Sequence, residues 1–293
     1  MLPEIVFDNA ILAGLKGKVV LITGGSSGIG LATVKLLLSL GAFVVAGDIN
    51  EPPVPCSDHL AFQKTDVTSW ADLSALFKKA KQLHGRIDHV FANAGISTRT
   101  NYLEENLDEN GDLKEPSFEV LDVNLRGVLN TATLGLHYLK PERQEGGGSI
   151  VLTASSTSFQ RMRAADYAIA KHGVLGVLRG LLPNIQSANL PIRLNIINPA
   201  WTDTGIVPAA VVESVGAKTQ SPDVVARSAA LLMADKSRNG QAIYSAEGKL
   251  YEIEDAVLQP ATRSIVGTDR LDEDTVFKLL LEKMAGTYKD CGV

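Results

Sequence analysis

The sequence predicts a single α/β domain built on a doubly wound, parallel sheet of about seven strands flanked by helices. Short apolar runs alternate along the chain with longer segments of helical period, and strands that alternate with helices form parallel sheets with right-handed crossovers. Of the 293 residues, 45% are hydrophobic, which is enough for a buried core. A glycine-rich turn between the first apolar run and the first helical segment is also typical of this fold class.

Seven short apolar segments are predicted as strands, and four longer segments with apolar residues on one helical face are predicted as helices. The predicted strands cover residues 19–22, 42–47, 60–65, 87–92, 148–154, 192–197 and 242–244. The predicted helices cover residues 31–38, 69–84, 118–140 and 164–186. The two kinds of segment follow each other without an intervening linker, which favours one continuous domain.

The predicted domain covers residues 17–250, after an N-terminal extension (residues 1–16) and before a C-terminal tail (residues 251–293). The tail contains a helical face, and we expect this face to pack on the domain or on a neighbouring subunit. The apolar residues of the face are Val276, Leu279, Leu280 and Met284.

The glycine-rich turn, residues 23–30, separates the first predicted strand from the first predicted helix. The N-terminus of a helix has free backbone N–H groups and a partial positive charge, so it binds pyrophosphate. Glycines let the backbone turn tightly and approach the phosphates closely. The order strand, turn, helix therefore predicts a dinucleotide site. The residues predicted to form it are Gly24, Ser26, Ser27, Gly28, Ile29 and Gly30.

Asp48 follows the second predicted strand, about twenty residues beyond the glycine turn, where a dinucleotide-binding fold places an acid on the adenosine ribose. A carboxylate at this point repels a 2′-phosphate. The next residues, Ile49 and Asn50, carry no compensating positive charge. The sequence therefore predicts NAD as the cofactor in preference to NADP.

Tyr167 and Lys171 are four residues apart in a predicted helix and therefore share one face. Ser155 and Ser156 follow a predicted strand, so they lie at the carboxyl edge of the sheet, where ligands bind. Transfer of a hydride from a carbinol carbon needs a base for the hydroxyl proton. The pKa of a free tyrosine, about 10, is too high for this task. We expect Lys171 to lower the pKa of Tyr167 and a serine hydroxyl to hold the substrate oxygen.

Over residues near 17–250, the chain resembles the short-chain dehydrogenase/reductase family. The motifs that carry the resemblance are Thr23-Gly24…Gly28-Ile29-Gly30, Asp66-Val67, Asn93-Ala94-Gly95, Asn124, Ser155 with Tyr167 and Lys171, and Pro199 with Thr204. The resemblance implies a Rossmann-type fold, oxidoreductase activity on CH–OH groups, and a homodimer or homotetramer formed through the two long helices. Within the family, the chain is most similar to NAD-dependent, hydroxyprostaglandin-dehydrogenase-like fungal enzymes.

The resemblance also implies a role for each of the remaining motifs. Asn124 would hold a water molecule that links Lys171 to solvent and completes a proton relay. The resemblance selects Ser155 over Ser156 as the serine that holds the substrate oxygen. The other implied contacts are to the adenine (Asp66, Val67), to the central sheet beside the cofactor (Asn93, Ala94, Gly95) and to the nicotinamide (Pro199, Thr202, Thr204).

The substrate is predicted from two segments, residues 156–166 and the loop after Trp201. Their side chains indicate a mostly apolar alcohol or ketone, although the same residues would serve equally well to pack the loops. The apolar candidates are Phe159, Met162, Trp201, Ile206 and Val207, and the polar candidates are Gln160, Arg161 and Arg163. The acidic segment 97–117 is interpreted as a solvated surface loop, with a lid or a partner contact as the alternatives.

Composition excludes several other classes of protein. A net charge of −5 without a cluster of basic residues argues against a nucleic-acid partner. The N-terminus has no signal-peptide pattern, and no apolar run is long enough to span a bilayer, so a cytoplasmic protein without a membrane contact is expected. Neither the histidines nor Cys56 and Cys291 have the spacing of metal ligands. A non-redox role on the same fold, as a dinucleotide-binding regulator, lyase or isomerase, stays open.

Overall fold

The computed structural model describes residues 2–267 and 269–290, and in this part of the chain eight strands form one sheet in the order β3-β2-β1-β4-β5-β6-β7-β8. The strands are β1 Val19–Thr23, β2 Phe43–Asp48, β3 Leu60–Lys64, β4 His89–Ala92, β5 Gly148–Thr153, β6 Ile192–Pro199, β7 Ala242–Ala246 and β8 Lys249–Glu252. Neighbouring strands from β3 to β7 pair in parallel. The predicted α/β fold class is therefore confirmed.

The sheet has one strand more than predicted, because β8 pairs with β7 in the antiparallel direction. Two residues, Glu247 and Gly248, connect these strands, and both have positive φ angles of 49° and 85°. A two-residue turn with positive φ at both positions matches the twist of an antiparallel hairpin. Glutamate is not a typical residue for such a turn, which is why the sequence pattern did not predict the hairpin. β8 runs across the domain boundary predicted at residue 250.

Helices cover both faces of the sheet. In chain order they are α1 Gly28–Ser39, α2 Trp70–His84, α3 Glu119–Leu121, α4 Gly127–Leu139, α5 Ala165–Ser187, α6 Ala209–Glu213, α7 Pro222–Ala234, α8 Gln259–Val266 and α9 Glu273–Asp290. Helices α1 and α7 pack on one face of the sheet, and α2, α4 and α5 pack on the other. The first face buries β-branched and aromatic side chains of the central strands, including Ile22, Phe91, Val151 and Ile197.

The helix predicted over residues 118–140 is present but is not regular. A π-helical turn, Asp122–Arg126, lies between α3 and α4 and contains Asn124. Single π-turns within α-helices are rare and are found mostly at functional sites. The backbone irregularity therefore falls on a residue that sequence analysis had already selected.

The N-terminal extension forms part of the packed structure. A 3-10 helix, Asn9–Leu15, buries Leu12 and Leu15 and contacts α7. The guanidinium of Arg227 on α7 lies 5.1 Å from the ring centroid of Phe7 and donates a hydrogen bond of 2.9 Å to Asn9. Residues 5–15 are thus tied to the helical layer of the domain.

A separate C-terminal unit begins at Ile253. It contains a π-helical turn, Glu254–Leu258, followed by α8 and α9. The predicted helical face lies on α9, where the exposed fractions are 45% for Leu279, 52% for Leu280 and 53% for Met284. Packing of this face on the domain or on another subunit stays a prediction. Within the described residues, the helices are too short or too polar to cross a membrane.

Candidate active site

A cavity of about 940 Å³ lies at the carboxyl ends of the parallel strands. The residues that follow β1, β2, β4, β5 and β6 all contribute to its wall, as expected for the ligand site of an open parallel sheet. Most of the predicted site residues meet here. Those that line the cavity are Gly24, Ser27, Gly28, Ile29, Asp48, Ile49, Asp66, Val67, Asn93, Ala94, Gly95, Ser155, Tyr167, Lys171, Pro199, Thr202 and Thr204.

Two regions of the wall differ in character, the glycine end and the loop end. The glycine end is formed by Gly24, Ser27, Gly28 and Asp48. The loop end is formed by residues of the two loops that follow β5 and β6. The loop-end residues are Gln160, Arg161, Met162, Trp201, Ile206 and Val207.

At the glycine end, the backbone occupies space that a side chain would need. Gly24 has a φ of +69°, and a Cβ built on it would lie 2.7 Å from the Cα of Ala94. Gly28 has a φ of +50°, a conformation that residues with a Cβ rarely adopt. Ser27, at the N-cap of α1, makes no side-chain cap, and the first turn contains no acidic residue. The amide groups at the start of α1 thus remain available to an anion.

Two residues predicted to contact the cofactor, Ser26 and Gly30, lie behind the wall of the cavity. A Cβ on Gly30 would lie only 1.9 Å from the carbonyl oxygen of Gly24, so this glycine permits close packing of α1 against the turn. The Ser26 hydroxyl donates a 2.6 Å hydrogen bond to the carbonyl of Asn50. Both residues shape the turn without lining the cavity.

The Asp48 carboxylate accepts one hydrogen bond on each oxygen, from the amides of Ser26 and Asn50 at 3.0 Å. An ionised carboxylate has about four lone-pair sites, so about two remain for a ligand. The neighbouring wall residues Ile49, Asn50 and Asp66 carry no positive charge. The Asp48 carboxylate therefore has no cation among these neighbouring wall residues.

Asn93 links three parallel strands directly beside the glycine turn. Its side-chain amide nitrogen donates to the carbonyl oxygens of Thr23, at 3.3 Å, and Gly24, at 3.1 Å. Its amide oxygen accepts from the hydroxyl of Thr153 on β5, at 3.4 Å. The ends of β1, β4 and β5 are held together through this one side chain.

Three of the four proposed catalytic side chains converge at the end of β5. The Ser155 hydroxyl accepts a 3.2 Å hydrogen bond from the amide of Thr157, and it is near enough to the Tyr167 phenol to lower the pKa of that group. The Lys171 ammonium donates to the carbonyl of Thr153 at 2.8 Å and lies 5.6 Å from the centroid of the Tyr167 ring. Ser156 also lines the cavity.

Burial shifts the pKa of two groups in this cluster. It raises the pKa of Tyr167, and the neighbouring Ser155 hydroxyl offsets this only in part. Burial also lowers the pKa of Lys171 to about 8. Burial thus disfavours the charged forms of both groups, because a charge on either one is desolvated. The expectation that Lys171, helped by the positive charge of an oxidised nicotinamide, lowers the pKa of Tyr167 stays a prediction.

Asn124 is fully buried and does not line the cavity. Its side-chain oxygen accepts from the amide of Ile96, and its side-chain nitrogen donates to the carbonyl of Ile96, both at 2.8 Å. A Cβ on Gly95 would lie 3.1 Å from the Asn124 oxygen and 3.7 Å from the Lys171 ammonium, so the two groups are near each other. Its function as the holder of a relay water stays a prediction.

The loop end contains six of the eight predicted substrate contacts. The two exceptions are Phe159, which packs edge-on against Tyr244 with ring centroids 5.8 Å apart, and Arg163, which does not line the cavity. Sequence reasoning missed the contribution of Ser97, Thr98 and Arg99 to the wall, because their segment was interpreted as a solvated loop. Their position directly after Asn93-Ala94-Gly95 was the available signal.

The family described as short chain dehydrogenase matches residues 18–213, about two thirds of the chain. The protein belongs to the short-chain dehydrogenase/reductase family. This confirms the resemblance carried by the glycine turn and by the Ser155, Tyr167 and Lys171 cluster. The family is one of oxidoreductases.

Two fungal relatives are similar to this chain over most of its length. The short-chain dehydrogenase/reductase ascJ of Acremonium egyptiacum is 49% identical over 282 residues, which are 94% of this chain and 95% of the relative. The 5′-hydroxyaverantin dehydrogenase of Dothistroma septosporum is 31% identical over 230 residues, which are 70% of this chain and 73% of that protein.

Solved structures of other members have the same fold. Levodione reductase superposes with a TM-score of 0.67 at 25% identity, covering 80% of this chain and 98% of its own. The 3-ketoacyl-(acyl-carrier-protein) reductase of Brucella melitensis, in complex with NADH, gives a TM-score of 0.65 at 26% identity, covering 78% and 97% of the two chains.

Acidic and histidine side chains of this short-chain dehydrogenase/reductase do not form a metal centre in the described ranges. No three or more His, Cys, Asp or Glu residues there are grouped so that they could hold an ion. Cys56 is a free, exposed thiol, and Cys291 lies outside the described residues.

Proposed function

We propose that this family member transfers a hydride between NAD(H) and a secondary alcohol or ketone on a mostly apolar small molecule. The observation that carries the proposal is the placement of Ser155, Tyr167 and Lys171 in the same cavity as the glycine end. A protein that only bound a dinucleotide would have no need of a phenol and a serine hydroxyl beside a buried ammonium group. A fold alone does not define an activity, so the proposal rests on these side chains.

The wall of the cavity fits NAD at several points. The free amides of α1 and the side-chain-free surface of Gly24 and Gly28 suit a pyrophosphate. The remaining lone pairs of Asp48 suit the adenosine ribose, and its negative charge disfavours a 2′-phosphate. Asp66 and Val67 would flank the adenine. When bound, the nicotinamide ring supplies the acceptor or donor of the hydride.

Tyr167 is proposed as the acid–base group. In alcohol oxidation it accepts the hydroxyl proton of the substrate, and in ketone reduction it donates a proton to the carbonyl oxygen. The Ser155 hydroxyl holds the same oxygen, since both side chains line the cavity and Ser155 is near enough to Tyr167 to lower its pKa. Positioned proton transfer of this kind accelerates a reaction by about 10²- to 10⁴-fold.

Lys171 is proposed to stabilise the phenolate form of Tyr167. Lowering a pKa by about three units takes roughly 4 kcal/mol, and one cation at about 4 Å in a medium of effective dielectric near 20 supplies about that much. Because burial raises the pKa of Tyr167 in the protein alone, Lys171 needs a second positive charge, that of the oxidised cofactor. We therefore propose that the pKa of Tyr167 falls when NAD binds, and that Asn124 supports proton exchange behind Lys171.

The loop end is proposed to bind the substrate. Its wall is mainly apolar, with Met162, Trp201 and Ile206 exposed to the cavity and Gln160 and Arg161 as polar partners. The likeness to a 5′-hydroxyaverantin dehydrogenase supports the oxidation of a hydroxyl group. We also propose a homodimer or homotetramer through α4 and α5, where Leu129 and Ile169 are exposed by 39% and 50%.

The test is the appearance or loss of reduced-nicotinamide absorbance with NAD and NADP and a panel of apolar secondary alcohols and ketones. We expect turnover with NAD, a loss of about 10²- to 10⁴-fold in Tyr167→Phe, and an NAD affinity within a few-fold of the original. Tyr138→Phe, which changes a tyrosine outside the cavity, is the matched control and should retain activity. Unchanged turnover in Tyr167→Phe would contradict the mechanism. Tight NADH binding with no turnover across the panel would favour the non-redox alternative.

A further inference from the structure

Asp166 precedes Tyr167 at the second position of α5, and its side chain is fully buried. A buried carboxylate is costly unless hydrogen bonds compensate it. Asp166 receives four: from the Thr98 hydroxyl, from the amides of Arg99 and Thr100 at 2.8 Å, and from the amide of Tyr167 at 2.7 Å. Burial by itself raises the pKa of this carboxyl, but the hydrogen bonds lower it below its ordinary value. The group is thus held as an anion.

Two of these donors belong to residues that line the cavity, a third belongs to Thr100, which follows them in the chain, and the fourth belongs to the catalytic helix. Thr98 and Arg99, together with Ser97, line the cavity that contains Tyr167. The amide of Tyr167 is one of the N–H groups in the first turn of α5 that have no partner within the helix. One carboxylate therefore joins the cavity wall to the helix position that carries the acid–base group.

The same segment is also the base of the acidic loop. The Thr100 hydroxyl donates to the carbonyl of Ser117 at 3.2 Å, and the Arg99 guanidinium forms an ion pair with Glu119. Residues 101–116 therefore leave the fold and return to it at one place. Asp166 binds the chain immediately before residues 101–116. Without these hydrogen bonds, a displacement of residues 101–116 would also displace the cavity wall.

We propose that Asp166 is a positioning residue, which holds the wall formed by Ser97, Thr98 and Arg99 at a fixed distance from the Tyr167 hydroxyl. The inference rests on the proposed function, since it concerns how the substrate is held against Tyr167. Asp166 touches neither substrate nor cofactor in this scheme. It acts through the wall, and its loss affects the substrate much more than NAD.

A carboxylate suits this position better than an amide does. Its two oxygens accept from four donors, whereas an asparagine has one acceptor oxygen and an NH₂ group that would face the N–H donors of Arg99 and Thr100. Asp166→Asn keeps the shape of the side chain but removes the match between its acceptor oxygens and the surrounding donors. Thr98→Val removes a single donor at nearly constant shape, which provides a milder variant should Asp166→Asn fail to fold.

The experiment compares Asp166→Asn and Thr98→Val with Asp122→Asn, an exposed acid paired with Arg126 outside the cavity. We expect kcat/KM for the alcohol or ketone to fall about 10- to 100-fold in Asp166→Asn, as for a misplaced reacting group, and less in Thr98→Val. NADH affinity should stay within about twofold in both variants. Hydrogen exchange should become faster at the amides of Arg99 and Thr100 and stay unchanged in the central strands. Asp122→Asn should resemble the original protein in every measurement.

Two kinds of result would overturn the proposal, one in the kinetics and binding and one in hydrogen exchange. One is an unchanged kcat/KM in folded Asp166→Asn, or an equal loss of NADH affinity and substrate turnover, which would indicate a general structural role. The other is unchanged exchange at Arg99 and Thr100, which would show that Asp166 does not hold the wall. The exchange measurement needs no turnover, so it separates a failure of this inference from a failure of the proposed function, which would appear as an inactive original protein.

Discussion

At the glycine end of the cavity, backbone lies against backbone, whereas at the loop end, side chains lie against open space. A Cβ on Gly24 or Gly30 would overlap the neighbouring main chain, and Asn93 joins three strands within the same few ångströms. At the loop end, Met162, Trp201 and Ile206 are each more than 40% exposed. A rigid backbone can bind a ligand group that is common to a family. Side chains on loops, where substitution is tolerated, bind a substrate that varies among family members.

The largest effect is expected at the glycine end, from Gly30→Ala. The added Cβ would lie 1.9 Å from the carbonyl oxygen of Gly24, so α1 would have to move away from the turn. We expect NADH affinity, measured by fluorescence titration, to fall by roughly 100-fold, the cost typical of a displacement of about 1 Å. The control is Gly14→Ala, whose Cβ would meet no atom within 4 Å. Normal NADH binding by Gly30→Ala would show that the glycine end is not rigid.

A second prediction concerns the strands beneath the glycine end. His89 on β4 is buried and hydrogen-bonded to Ser149 on β5 at 2.8 Å, and burial lowers its pKa to about 3. Below the unfolded pKa of about 6.5, the unfolded chain binds a proton that the folded chain does not, so stability decreases as the pH falls from 6.5 toward 3. The folded strands therefore become less stable in acid.

The measurement is urea unfolding at pH 7 and pH 5, with His89→Asn as the non-titrating variant. Between these pH values we expect the original protein to lose about 2 kcal/mol more of its free energy of unfolding than the variant does. An equal loss in the two proteins would show that the histidine is protonated in the folded state.

The smallest effect is expected at the loop end, from Arg161→Gln. Three cations line the cavity. Lys171 is bonded to Thr153 and Arg99 is paired with Glu119, whereas Arg161 makes no hydrogen bond or ion pair with any residue the structure describes. If Arg161 contacts a polar group of the substrate, its loss should raise KM about tenfold, the value of one charge-assisted hydrogen bond.

Arg163→Gln is the matched control for this prediction, because Arg163 is also exposed and lies two residues away but does not line the cavity. Its KM should be unchanged. Equal effects of the two substitutions would point to a general loss of surface charge, and Arg161 would then not contact the substrate.

Much of the fold was predictable because it depends on local patterns. The seven parallel strands and the helices α1 to α5 follow from hydrophobic periodicity, and Gly24 and Gly28 follow from a turn that only glycine accommodates well. Helices α6 and α7 were not predicted. The hairpin of β7 and β8 was not predicted, since Glu247 adopts a positive φ that its residue type does not favour. The anchor at Asp166 was also not predicted, because its partners lie about seventy residues earlier in the chain.

The sequence by itself determined the order of the first seven strands and of the helices α1 to α5, the glycine turn and the residue types of the Ser155, Tyr167 and Lys171 cluster, because each of these depends on short spacings along one element. Only the tertiary structure decided which residues reach the cavity, since Ser26, Gly30 and Asn124 lie behind its wall and Ser97, Thr98 and Arg99 lie in it. It also decided the protonation of the cluster. The pKa of a side chain depends on how much water the rest of the fold removes from it, and no spacing along the chain contains that quantity.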